Sequence, residues 1–332
     1  MAPISKDLWK EILFNQGLPL IGSNKPDEGN GFHDRVSWDM NFHENPYRPQ
    51  KMLDNVKLNH YLDSIGGMIN MIIDNHEEFK DGIKIENCSE NYLATVKMYL
   101  DNYNYRGRNI FFNEITEWSR HFCRYGRIIF EIVGWYTNDS SQFYGYELKM
   151  LNNEYCKIKR KSIIYNAPFS KKKDKIIYKK ERIPLNKCII VDFPKELGGY
   201  KQFENKISKV NNLGSQFMSI DDPGKNLAHL KNWDKEFEKI ICDWGSITQY
   251  EGVTDYYQVL LKLKFTKTVI LCLNELINCF EQLIVYLNFK LKEKAKVEVD
   301  LNKYTLKNYV SIEEKWKKGE LSFKEASDFY LN

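Results

Sequence analysis

Between residues 53 and 79, Val56, Tyr61, Leu62, Ile65, Met68, Ile69, Ile72 and Ile73 recur at three- and four-residue intervals. That is the period of one helical face, so the stretch is predicted to be an amphipathic helix, in which Gly66 and Gly67 permit a bend or a close approach. A second helix is predicted over 91–101. Asn113 reads as an N-cap, and after it Ile115, Trp118, Ser119, Phe122 and Tyr125 line one face until Gly126 ends the helix. There the period changes to two. Ile128, Phe130 and Ile132 alternate with Ile129, Glu131 and Val133, and strand patterns continue over 143–151, 155–165, 175–180 and 187–193. A meander of about five antiparallel strands over 127–193 is expected, closed by Pro194 and the pair Gly198-Gly199.

Beyond the meander, Phe203, Ile207, Val210 and Leu213 predict a helix over 200–217, and Asp221-Asp222-Pro223-Gly224 a turn. Residues 227–244 read as helix, and 254–291 as one long helix that is apolar on more than one side. Such a helix must be buried in a domain or between subunits. An extended piece over 296–301 leads to a helical hairpin, 309–317 and 323–330, turning at Lys318-Gly319-Glu320. The first fifty residues differ in kind: a short amphipathic helix over 6–14 is followed by a Gly-, Asn- and Pro-rich run carrying Trp38, Phe42 and Tyr47. Loops this long usually bind something, so an arm packing on a neighbouring subunit is expected. The fold class is α+β, organised as an arm (1–50), a mixed region (51–199), a helical region (200–258) and a long helix with the terminal hairpin (259–332).

With 42% hydrophobic and 28% charged residues in 332, the chain has the composition of a folded protein and excludes disorder. Lys262, Lys264, Lys267, Glu275 and Glu281 interrupt the most apolar stretch, so a soluble chain with no membrane partner is expected. The first fourteen residues lack the pattern of a secretory leader. Seven scattered cysteines without a C-x-x-C pair read as reduced thiols, with Cys272 and Cys279 as small core hydrophobes. Phosphate-binding glycine loops, H-E-x-x-H and G-x-S-x-G are missing and the six histidines are dispersed, so neither metal nor cofactor is expected. One catalytic pattern remains: Asp139 with Glu147-Leu148-Lys149, the set a metal-dependent nuclease would use to bind a divalent ion and activate water.

The net charge of +4 is unevenly placed. Residues 154–187 hold twelve basic residues (Lys157, Lys159, Arg160, Lys161, Lys171, Lys172, Lys173, Lys175, Lys179, Lys180, Arg182 and Lys187) against Glu154, Asp174 and Glu181, a net +9 that leaves −5 for the rest. Two readings stand. The lysines protect an exposed strand edge from pairing, or they form a surface for phosphate backbones, with Tyr155, Tyr165 and Tyr178 available to stack on bases.

The order of local patterns adds a resemblance. Trp118-Ser119-Arg120-His121-Phe122-Cys123-Arg124-Tyr125-Gly126-Arg127-Ile128-Ile129-Phe130-Glu131-Ile132 resembles the segment of tailed-bacteriophage portal (head-to-tail connector) proteins where a helix ends at a glycine and enters a strand. Tyr146 to Leu151, Arg182-Ile183-Pro184-Leu185-Asn186-Lys187-Cys188-Ile189-Ile190, Gly198-Gly199-Tyr200 and Trp316 to Ala326 are similar to later portal passages, in the same order. The resemblance implies a portal-like fold whose wing is 51–199 and whose stem and reduced clip-like region is 200–258. It further implies a ring of identical subunits, a dodecamer, at one capsid vertex, through which double-stranded DNA is packaged and ejected. Its partners would be further copies of itself, the major capsid protein, terminase and tail or adaptor proteins, in the virion and in the host cytoplasm during assembly. In this reading the chain is not an enzyme. Lys157, Lys159, Arg160, Lys161, Lys171, Lys172, Lys173, Lys175, Lys179 and Lys180 contact DNA or a partner, and Trp38, Phe42 and Tyr47 contact a neighbouring subunit. The alternative is a metal-dependent nuclease or another soluble nucleic-acid-binding protein using the lysine-rich hairpin.

Overall fold

A computed structural model describes residues 31–37, 56–75, 83–100, 110–137, 143–172, 175–217, 234–246, 254–299, 306–327 and 329. The fold is mixed helix and small antiparallel sheets. Its centre is strand β3 (Arg127–Thr137), which pairs with β4 (Phe143–Leu151) along one edge. On the other edge it pairs with two short strands placed end to end: β1 (Gly31–His33) at Trp135–Thr137 and β8 (Cys188–Asp192) at Arg127–Glu131. The chain between β4 and β8 forms a second sheet, β5 (Cys156–Ile158), β6 (Ser162–Lys172) and β7 (Lys175–Pro184), in that order. All pairings are antiparallel, as expected, but the strands are not one meander. The expected strand over 155–165 breaks at Lys159-Arg160-Lys161, where the Lys159 amide donates to the Ser162 carbonyl at 2.8 Å. Basic residues are not turn formers, so composition hides this turn.

Helices cover one face of the central sheet. These are α1 (Val56–Asn75), α2 (Glu90–Leu100), α3 (Ile110–Tyr125), α4 (Gly199–Phe217) and α5 (Asp255–Leu291). Helix α3 starts before Asn113, which therefore lies inside it and is no cap; Ile110-Phe111-Phe112 continue a helix as readily as Asn113 could begin one. Even-numbered residues of β3 (Ile128, Phe130, Ile132) join α1, α3, α4 and α5 in the main core, in which Trp118 lies 4.9 Å from Phe130 and 5.1 Å from Phe280 between ring centroids. The turn from α3 into β3 requires Gly126: its φ is +65°, and a Cβ there would stand 2.4 Å from the Phe203 ring.

Helix α5 runs through the middle of this core. Its charges are unevenly spaced, so one 18-residue window has a mean hydropathy of 1.5, long and apolar enough to cross a membrane by composition. Burial accounts for the composition: 67% of that window is inside the protein, including Cys272, Cys279 and Phe280. Past α5, Asn288 brackets the exit, donating to the Ala295 carbonyl (2.8 Å) and accepting from its amide (3.0 Å), and β9 (Lys296–Val299) pairs with β2 (Ile83–Glu86). The hairpin of α6 (Leu306–Lys317) and α7 (Phe323–Ser327) closes a smaller core of Val259, Leu263, Ile312, Trp316 and Ala326.

The expected N-terminal arm is in part a component of its own subunit, since residues 31–37 complete the central sheet. Trp38, Phe42 and Tyr47, the turn at 221–224 and Asp139 lie outside the described residues. Residues 234–241 are helical, as expected for the second half of 227–244.

Candidate nucleic-acid interface

Alternation along the small sheet divides its side chains between two faces. Ile163, Tyr165, Ala167 and Ile183 point inward and pack on Ile129 and Leu151, the odd-numbered side of the central sheet. The register sets Lys157 opposite Ile164, Ile164 opposite Arg182 and Asn166 opposite Lys180, so these side chains share the outward face. Lys157, Asn166, Lys180 and Arg182 are exposed there, and Lys159, Arg160 and Lys161 are exposed in the adjoining turn. Between them lies an open cavity of about 400 Å³ lined by Glu154, Tyr155, Cys156, Lys157, Ile164, Asn166, Tyr178 and Lys180. Tyr155 and Tyr178, both lining it, meet edge to face, with centroids 6.4 Å apart and planes at 65°.

The expected site residues separate accordingly. Lys157, Lys159, Arg160, Lys161, Lys180 and Arg182 make no ion pair among the described residues. Lys179 is different: it sits opposite buried Ala167, and its ammonium lies 2.8 Å from the Glu181 carboxylate, so its charge is balanced inside the sheet. Lys187 likewise lies 3.0 Å from the Asp34 carboxylate. The backbones of Lys171, Lys172 and Lys175 pair at the far end of the β6–β7 hairpin, and Lys173 lies outside the described residues. Tyr165 is only 1% exposed and faces the core, which removes it from the candidate stacking set. Burial, ahead of the neighbouring Cys188, pushes the Cys156 thiol up to about 12, so the sulfur in the cavity stays protonated and is a poor nucleophile.

A second cluster lies where the nuclease pattern was expected. Glu131, fully buried in β3, accepts hydrogen bonds from the amides of Val36 (2.5 Å) and Ser37 (2.9 Å) and from the Ser37 hydroxyl. Lys149, its register partner on β4, donates to the Ser37 carbonyl at 2.8 Å, and Arg35 Nη2 donates to both oxygens of Glu147 at 2.9 Å. Asp34 accepts from the Gly134 amide (2.6 Å) and the Tyr136 hydroxyl (3.2 Å). Glu147 and Lys149 are therefore both tied to the strap formed by residues 34–37, with Val36 inserted beside the small core. Their proximity in sequence signals strand alternation; the strap itself was missed. Its one visible sign is Glu131, a lone carboxylate within Ile-Ile-Phe-Glu-Ile-Val. Among the described residues, no group of three or more His, Cys, Asp or Glu side chains could hold a metal ion.

Comparison with known protein families and with curated proteins finds no match.

Proposed function

We propose that the chain is a portal-type subunit, assembling into a ring through which double-stranded DNA passes. The observation that carries this reading is the ordered passage α3, Gly126, β3, β4, followed by Ile183-Pro184 ahead of β8 and by Gly198-Gly199 opening α4, the sequence of elements through which the chain resembles portals. The ring also gives a use to Val285 and Phe289, which are 69% and 78% exposed on a mostly buried helix, on the stretch that also exposes Asn278, Glu281 and Gln282. A neighbour in a closed ring covers such positions through a heterologous contact. The nuclease alternative needs Glu147 and Lys149 to face a metal and its water, yet Glu147 is engaged by Arg35 and Lys149 by the Ser37 carbonyl.

Negative-stain microscopy of the purified protein tests the proposal directly, with closed rings as the expected result. A monomer that cleaves DNA in the presence of magnesium, and loses that activity as Glu147→Ala or Lys149→Ala, overturns it in favour of the enzyme.

A further inference from the structure

We infer that the outward face of the small sheet binds single-stranded nucleic acid, a base stacking on the exposed Tyr178 while Lys157 and Lys180 hold the adjoining phosphates. This rests on reading the basic sheet as a nucleic-acid interface and specifies which form it takes. Two features of the cavity select the single strand. Its volume, about 400 Å³, is the size of a small-ligand site and accommodates one nucleotide unit, whereas a duplex backbone would only span its mouth. Its aromatic members are also of no use to a duplex, which presents phosphates and groove edges; base faces are available only where the strand is unpaired.

The chemistry around the cavity agrees. Tyr178 lines the cavity and is 51% exposed. Lys157 and Lys180, without ion-pair partners among the described residues, flank the half-buried Ile164 on the same face, so the phosphate backbone has cations on both sides of an apolar floor. Asn166 supplies a donor and an acceptor for a base edge. Glu154 in the lining repels phosphate, so the backbone is held by the lysines and not by the Glu154 side of the site. The edge-to-face setting of the two tyrosines leaves room for stacking on one ring at a time and excludes a parallel sandwich of both on one base.

Fluorescence anisotropy with a 12-nucleotide oligo(dU), a 12-nucleotide oligo(U) and a 12-base-pair duplex, each over a series of salt concentrations, tests the inference on the full chain. Both single strands should bind tighter than the duplex, and the tighter of the two identifies the sugar. Tyr178→Ala should weaken single-strand binding about tenfold, a typical loss for one stacked base, and leave duplex binding and the salt slope unchanged. Tyr178→Phe should retain wild-type affinity. Lys157→Gln with Lys180→Gln should weaken all three ligands and flatten the salt dependence. If Tyr178→Ala binds single strands as well as the wild type while the lysine variant is impaired, the stacking inference fails and the ionic surface stands. If no oligonucleotide binds even at low salt, the nucleic-acid reading fails with it.

Discussion

Glu131 shows what one charged residue can organise when it is buried. Its carboxylate has no access to water and satisfies its oxygens with the amides of Val36 and Ser37, so the strap is held by charge-assisted hydrogen bonds. Glu131→Ala leaves the Val36 and Ser37 amides and the Ser37 hydroxyl without their acceptor, and should destabilise the protein by about 3–5 kcal/mol, since each buried polar group left unsatisfied costs roughly 1–3 kcal/mol. Glu147→Ala, which breaks a partly exposed pair with Arg35, should cost only about 1 kcal/mol. Urea denaturation of both variants checks the contrast, and similar midpoints would place the strap's stability elsewhere. At the other end of the molecule, Glu313 receives Lys317 at 2.6 Å and Lys267 at 3.3 Å. Burial raises its pKa, but the two lysines together outweigh burial and hold the carboxyl below its ordinary value of 4.5. Its contribution is fully present above that value and is lost as pH falls through the lower value in the folded protein. Glu313→Gln should therefore flatten the decline in stability below about pH 4.5, as measured by thermal melts across pH 3–6.

The junctions between elements carry more constraint than the elements themselves. At Gly126, alanine meets both a left-handed backbone and the fixed ring of Phe203, so Gly126→Ala should lose about 2–4 kcal/mol from combined backbone strain and overpacking. Gly319 is also left-handed, with φ +72°, but opens to empty space; Gly319→Ala should cost about 1 kcal/mol. Equal losses in chemical denaturation would show that packing against Phe203 is not the cause. Helix α1, helix α4 and the ends of α5 were legible because apolar residues recur at helical spacing over many turns, and Gly126 because a glycine there coincides with a change of period. Less legible was the division of the strands into two sheets. Period-two patterning identifies a strand but contains no information about its partner, and β8 finds its partner in β3, across an inserted hairpin sheet. The start of α3 was misplaced because Asn113 fits a cap and a helix interior equally well to the eye. Half of the candidate interface was legible as charge; which lysines are balanced internally depends on Glu181 and Asp34, whose positions follow from register.

At the scale of the whole molecule, α5 ties the main core to the terminal hairpin, while its residues Val285 and Phe289, one turn apart, remain exposed. In the proposed ring a second copy covers them. Phe289→Glu should then shift the protein from rings to monomers in sedimentation velocity, with circular dichroism unchanged because the side chain is not part of the subunit's own core. Rings that persist would move the subunit contact to another face. The strap has a consequence of a different kind, in time. Asp34 and Gly134 bond across 100 positions of chain, so during synthesis the strap emerges well before the strand it completes. At about 5–20 residues per second, the ribosome takes roughly 5–20 s to make that interval. Throughout it, Gly31–His33 has no β3 edge to join, and the order of birth makes this segment a late arrival in the native sheet.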